Sequence, residues 1–273
     1  TTNESGTVVM TVFENSPAEE AGIMVGDIIT KVKGVDVNGK TTSEVSNMIK
    51  STNGNVEIEV NRGGITKTLT LKVSTVSIKS VVKNKYDKTG YLRIETFSNT
   101  TYKQFKESLE TLEKEGIENL IVDVRNNGGG FLNSAVEIAE LFVEKGKPIY
   151  GLQTKDKKEM YKDTTKEKRD YKVIVLINGG SASASEVLAA ALKESYGATL
   201  LGTKSYGKGT VQDTSELESG GMIKYTTAYW LTPKGVTINE KGLTPDIEVT
   251  GSFKDGMTLE NDVELQTAIN NLK

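Results

Sequence analysis

The chain contains no histidine and no cysteine. Without imidazole a Ser-His-Asp triad cannot form, and without imidazole or thiol a zinc ion lacks its usual ligands. Disulfides are excluded as well, and a chain without cysteine fits either redox setting. No apolar run approaches the roughly 20 residues of a membrane-spanning helix. The net charge is -3, with 34 Lys and Arg interleaved among 37 Asp and Glu. Tracking a phosphate backbone needs clustered cations, so nucleic acid is not expected as a partner. A start Met and a signal peptide are also lacking, and the chain reads as a fragment whose targeting segment has been removed.

What is present is globular: 273 residues, 36% hydrophobic and 26% charged. That suffices for one large or two ordinary domains. The first 75 or so residues alternate as short strands, TVVMTV (7–12), DIITKV (27–32), VEIEV (56–60) and TKTLTLKV (66–73). One helix fits TSEVSNMIK, where Val45, Met48 and Ile49 recur at helical spacing. Asn15-Ser16-Pro17, Gly34, Asn38-Gly39 and Gly63-Gly64 supply the turns. The segment SPAEEAGIMVGDIITKVKGVDV resembles a PDZ domain, which binds an extended peptide C-terminus by strand addition. The carboxylate-cradling loop of such a domain belongs before Thr7, where TTNESG does not provide it, so this unit (1–75) is expected to be truncated on its N-terminal side.

Residues 76–87 read as a linker, after which the pattern changes to alternating strands and helices. YLRIETF (91–97), NLIVDV (119–124), VIVLIN (173–178) and KYTTAYWLT (224–232) read as strands. Helices follow from Phe105, Leu109 and Leu112, from the run between Leu132 and Val143, from SEVLAAAL, and from Leu265, Ala268, Ile269 and Leu272. This rhythm implies an α/β core (76–250) with a parallel or mixed sheet, and a C-terminal helical segment (251–273). The charge-dense stretch 154–172 reads as a solvated face or hairpin.

With imidazole and thiol gone, a hydroxyl nucleophile needs another base, and an unprotonated lysine can serve. In NGGSASASE (178–186) a buried strand breaks at two glycines and a helix starts at the serines. N–H groups at a helix N-terminus favour negative charge, which suits an oxyanion. Ser183 is equally the first residue of an S-x-x-E capping box, and this stretch alone leaves both readings open. In KSYGKGTVQ (204–212) the glycines allow Lys208 to be held inside the protein, where desolvation favours the neutral amine. Gln212, four residues on, would share its side. A solvated loop lysine is the plain alternative. DVRNNGGGFLNSA (123–135) is a third turn with exposed N–H groups, in which Asp123 and Arg125 need do no more than pair or cap. Two near misses carry little: Gly202 to Lys208 spells the start of a P-loop but Gly209 replaces the required hydroxyl, and Ser80-x-x-Lys83 lies in the linker stretch.

DVRNNGGGFL, NGGSASASEVLAAAL and GTKSYGKGTVQ, in that order behind a PDZ-like unit, resemble the carboxy-terminal processing (tail-specific) proteases over nearly the whole chain, through TPKGVTINEKGLTPDIEV (232–249). The resemblance implies a PDZ domain on a crotonase-like α/β core and an endopeptidase acting near the C-termini of protein substrates. It implies Ser183 as nucleophile, Lys208 as base, Gln212 as its support, and N–H groups of Ala184 and Gly129 as oxyanion donors. Arg62 corresponds to an arginine that couples substrate binding to site assembly. Gly128 departs from the family, which often has proline there. The implied enzyme needs no metal or organic cofactor, acts outside the cytoplasm, has an exposed peptide C-terminus as its partner, and is a candidate for homo-oligomerisation. A non-catalytic peptide-binding protein of the same fold is the competing expectation.

Overall fold

The runs NLIVDV and VIVLIN lack polar alternation because strands covered on both faces need none. In a computed structural model of the chain they become neighbouring strands of a mixed sheet. The structure describes residues 2, 3, 6–13, 16–74, 79–216, 221–251, 253, 254 and 257–273. It divides into two compact units, Thr1–Ile78 and Lys79–Lys273.

The first unit runs β1 (Thr2–Asn3), β2 (Gly6–Val8), α1 (Pro17–Glu20), β3 (Ile28–Val32), β4 (Val35–Asp36), α2 (Thr42–Lys50), β5 (Asn55–Arg62) and β6 (Ile65–Lys72). Its sheet has the order β1-β2-β3-β5-β6, with β4 paired to β3. Period-two alternation in β5 sends Val56, Ile58 and Val60 into a core shared with Val32, Val37 and Val45. A reciprocal capping box starts α2: Thr41 Oγ1 accepts from Glu44 N at 3.3 Å, and Glu44 Oε2 accepts from Thr41 N at 2.7 Å. Ser16 caps α1 in the same sense, while Asn15 of that expected turn lies outside the described residues. The strand expected over 7–12 stops at Val8, and Val9 bonds instead to the turn at Gly26 and Asp27. Part of the segment expected to lack a carboxylate cradle, residues 1, 4 and 5, also lies outside the described residues.

The second unit continues with β7 (Val81–Tyr86), β8 (Thr89–Ile94), α3 (Thr101–Lys114), β9 (Asn119–Asp123), α4 (Leu132–Glu140), β10 (Pro148–Gln153), β11 (Lys158–Lys162), β12 (Lys172–Ile177), α5 (Ala184–Ala191), β13 (Thr199–Gly202), β14 (Thr210–Glu216), β15 (Met222–Leu231), β16 (Ile247–Glu248) and α6 (Val263–Leu272). The six-stranded sheet β16-β13-β12-β9-β8-β7 is parallel except for β7. Leu120, Val122, Val173, Val175 and Ile177 face α3, α4 and α5, and the intervening Ile121, Ile174 and Leu176 face α6 through Leu265, Ala268 and Leu272. The four-stranded sheet β11-β10-β15-β14 carries the long β14–β15 hairpin.

One sequence expectation changes here, and the hairpin expected in 154–172 is found. The stretch read as a linker (76–87) contains β7, an edge strand antiparallel to β8. Its lysines mask the pattern because only Val81 is buried in the core, as an edge allows. Residues 76–78 of that stretch lie outside the described residues. The charged stretch 154–172 supplies β11, the outer strand of a hairpin with β10, with Tyr161 stacked on Tyr150 at 4.5 Å.

The unit's most polar buried feature joins α6 to the end of β9. Arg125, with its side chain fully buried, meets Asp123 and Glu264 at 2.6 Å and Asp262 at 2.7 Å. The Phe253 ring lies 3.9 Å from its Cζ. Tyr91 donates to Asp123 Oδ2 at 2.7 Å, and Asp262 caps α6 by accepting from Leu265 N at 2.9 Å. Burial pushes the Glu264 carboxyl up while Arg125 opposes the shift. Removing one partner of a buried ionic cluster strands the others. Arg125→Met is therefore expected to cost the second unit about 3 to 5 kcal/mol, read by urea unfolding on the fluorescence of Trp230, the single tryptophan, buried in this unit.

Candidate active site

The site forms where the parallel strands β9 and β12 end side by side, the usual place for function in such sheets. Their following turns are bonded into one piece. Asn126 N donates to Asn178 Oδ1 and Asn178 Nδ2 to Asn126 Oδ1, both at 2.9 Å. Ser181 Oγ donates to Val124 O at 2.7 Å. The Asn127 carbonyl accepts from Ala182 N at 3.0 Å and Ser185 Oγ at 2.8 Å. Asn127 is itself buried and donates to Ile94 O at 2.8 Å. Ser181 and Ser185 are thus spent on scaffolding, which leaves Ser183, half-buried between them, as the available hydroxyl of SASAS.

Ser183 has φ 59 and ψ -118, a left-handed backbone that only an over-determined turn imposes on a residue with a Cβ. Ser183 and Glu186 form the S-x-x-E capping box at the head of α5, the Glu186 carboxylate accepting from Ser183 N at 2.9 Å. The Glu186 amide also bonds to the Ser183 carbonyl at 2.9 Å. Ser183 thus takes part in the cap of α5, and the two readings of its hydroxyl, nucleophile and cap, stand side by side. The N–H of Ala184, at the first position of α5, has no intrahelical acceptor and remains a candidate anion donor.

Gly129 supplies close approach. A Cβ there would lie 2.8 Å from Ser183 Cβ, 2.7 Å from Ala182 O and 3.0 Å from Ala184 N, and φ is +99. Only glycine fits. Its N–H, however, already donates to Asn127 Oδ1 at 2.9 Å, so Gly129 borders the expected oxyanion position without offering a free donor there.

The serine turn and the lysine loop are joined by Glu186, whose residue is fully buried. One carboxylate oxygen accepts from Ser183 N and Lys208 N, both at 2.9 Å. The other accepts from Gly207 N at 2.8 Å and Ser205 Oγ at 2.5 Å. The S-x-x-E spacing foretold the bond to Ser183 N, but nothing in the sequence marked the three donors from residues 205–208.

Lys208 itself is exposed, contrary to the expected burial. The glycines beside it serve other contacts: Gly209 packs on the Asn239 backbone and Gly207 on Lys241 and Gly242. Among the described residues no hydrogen bond joins Lys208 Nζ to Ser183 Oγ. Gln212 is exposed on β14 beyond a bulge between Val211 and Gln212, and bulges re-aim side chains. No hydrogen bond links it to Lys208 among the described residues. Arg62, in the first unit, is engaged at 2.7 Å with Asp27 through both Nε and Nη2, and reaches Gly22 O at 2.6 Å. The guanidinium holds the Asp27 carboxyl below its usual range. Ser80 of the S-x-x-K near miss is buried against Thr101 Oγ1 at 2.8 Å. Among the described residues no cluster of three or more metal-binding side chains occurs.

Comparison with known proteins identifies the family. A model of peptidase family S41 matches residues 88–249, and a PDZ-domain model matches residues 8–62. A "Probable CtpA-like serine protease" of Staphylococcus epidermidis is 40% identical over 242 residues, covering 87% of this chain and 49% of that protein. A protein of the same name from Staphylococcus aureus is 39% identical over 246 residues, covering 89% and 50%. The chain spans about half the length of the curated relatives it matches. The solved structure of a photosystem II D1 C-terminal processing protease superposes with a TM-score of 0.59 at 31% identity, over 89% of this chain and 68% of that one.

Two outcomes follow from the two buried constraints. Glu186→Gln replaces one acceptor oxygen by a donor facing two N–H or O–H groups, and is expected to cost about 3 kcal/mol or more, read by Trp230-monitored unfolding. Ser183→Gly relieves the strained backbone, worth about 1 to 3 kcal/mol, against about 0.4 to 1 kcal/mol lost to a looser unfolded chain. It is expected to unfold at higher urea than Ser183→Ala, which keeps the Cβ; the reverse order would contradict the strain.

Proposed function

Because the chain belongs to peptidase family S41, we propose that it is a serine endopeptidase of C-terminal processing type, with Ser183 as nucleophile and Lys208 as general base. The observation that carries the reading is the strained Ser183 turn, with the Ala184 N–H at the head of α5 and the Lys208 loop tied to the same turn through Glu186.

In the reaction, the neutral amine of Lys208 takes the Ser183 proton as Oγ attacks the peptide carbonyl. Negative charge on the carbonyl oxygen is held by Ala184 N–H. The Gly129 N–H joins it if the Asn127 side chain releases it. Lys208 then protonates the leaving amine, and water completes hydrolysis by the same route in reverse. This chemistry requires Lys208 to turn inward from its exposed position, with Gln212 following to orient it. Since desolvation favours the neutral form of an amine, such closure would also prepare the base.

The PDZ unit would deliver the substrate by binding its C-terminus, and Arg62 would report that occupancy by exchanging its bond to Asp27. On this reading the protein acts outside the cytoplasm, and self-association would involve segments beyond this core. No helix among the described residues is long and apolar enough to cross a membrane.

The exposed Lys208 favours a second reading, a peptide-binding protein whose site stays unassembled. Mass spectrometry of peptides with apolar C-termini separates the two. Wild type is expected to cleave, and Ser183→Ala and Lys208→Ala to lose at least about 1,000-fold in kcat/KM, with folding checked on Trp230. Equal cleavage by the variants, or none by wild type, would sink the protease reading.

A further inference from the structure

Two aromatic side chains border the Ser183 turn without a structural use for their rings. Phe131 follows the Gly128–Gly130 turn directly, and Tyr206 lies in the loop that carries Lys208. Both are exposed, Phe131 at 48% and Tyr206 at 68%. Single exposed apolar residues are ordinary on a protein surface, so exposure alone says little. Their backbones, however, are pinned to the site. Tyr206 N donates to Ser181 O at 3.0 Å, two residues before the nucleophile. Phe131 N donates to Phe97 O at 2.8 Å, two residues after Gly129, where an added Cβ would lie 2.8 Å from Ser183 Cβ.

The loops are therefore positioned by main-chain bonds, and the rings are spare. Two other exposed aromatics of this unit find neighbours: Tyr161 stacks on Tyr150, and the Tyr225 hydroxyl lies 3.3 Å from Ser215 Oγ. Among the described residues neither Phe131 nor Tyr206 stacks on another ring, and the Tyr206 hydroxyl makes no hydrogen bond. A rigid aromatic on an anchored loop offers a large apolar surface at low entropic cost, which is what a binding subsite uses.

We propose that Phe131 and Tyr206 are the two walls of a substrate subsite that grips an apolar side chain on the residue donating the scissile carbonyl. That residue must sit here if Ser183 attacks its carbonyl, so the inference rests on the protease reading. It adds a selectivity that the reading does not contain: aliphatic or aromatic side chains at that residue are taken in preference to glycine or acidic ones.

The test uses paired peptides identical except for Leu or Gly at that residue, and reads the Leu/Gly ratio of kcat/KM. Phe131→Ala and Tyr206→Ala are each expected to lower the ratio about tenfold, and Tyr206→Phe to restore it, because the ring and not the hydroxyl makes the contact. A ratio unchanged in both alanine variants overturns the proposal, as does selectivity confined to the residue on the leaving-group side. A parallel arm measures binding of the same peptides to the Ser183→Ala chain by fluorescence anisotropy. If wild type cleaves nothing, the protease reading fails. The binding ratio and its loss in Ser183→Ala/Phe131→Ala and Ser183→Ala/Tyr206→Ala then decide the subsite by themselves: loss supports it, and equal ratios overturn it.

Discussion

A single carboxylate organises the candidate site. Among the described residues Glu186 is buried without a cationic partner, a placement that would be prohibitive if its oxygens were not fully engaged. They accept from Ser183 N, Lys208 N, Gly207 N and Ser205 Oγ. Hydrogen bonds to a charged acceptor are about twice as strong as neutral ones, so the turn after β12 and the loop before β14 are held as one body. Ser205 Oγ extends the same network by accepting from Leu243 N at 2.6 Å. The segment 232–249, which carries none of the expected catalytic residues, thus joins this network at Leu243 N, beside backbone bonds from Ser205 N to Leu243 O and from Glu240 N to Gly207 O.

What Glu186 fixes is backbone, and this explains why the Ser183 turn is held while the Lys208 side chain is not. Ser183 is held in a backbone conformation that costs energy to maintain. Lys208 has its N–H tied down but its side chain in solvent. A lysine stem has four rotatable bonds, so the ammonium can travel several ångströms with the main chain fixed. If Ser183 and Lys208 act together as proposed, assembly needs side-chain rotation and a change around the β14 bulge, with no refolding of the serine turn. Solvation of an exposed ammonium opposes that rotation, and substrate filling the site would offset it by displacing water.

Much of this was legible in the residues, for reasons that also explain what was not. The unalternated runs at β9 and β12 and the helical spacing of α2 report burial directly, and α2 spans Thr42–Lys50 as its pattern indicated. Motif order singled out Ser183, whose neighbours Ser181 and Ser185 prove to be structural. The misses are long-range. β7 looked like a linker because an edge strand needs only one covered face. The burial expected for Lys208 was inferred from flanking glycines, and those glycines answer to Asn239 and Gly242. The Gly129 donor was an analogy, and the local bond to Asn127 Oδ1 shows a glycine whose essential contribution here is the missing Cβ.

The Arg125 cluster poses the opposite case, a network whose members lie more than a hundred residues apart in sequence. Three carboxylates around one guanidinium are poor value as stability, since apolar residues of the same volume often do as well. Their placement suggests what they contribute instead. Asp123 ends β9, Arg125 follows it, and Asn127, two residues on, holds both the Gly129 N–H and the Ala182 N–H. Arg125 accordingly fixes the direction in which the chain leaves the sheet, by contacts from Asp262 and Glu264 that only a docked α6 can provide. An apolar cluster would bury the same segment but would leave the turn free to rotate, because hydrophobic contact is not directional. The ionic cluster is then a device for aiming the glycine turn at Ser183, and the C-terminal helix, which bears no motif, is part of the foundation of the site.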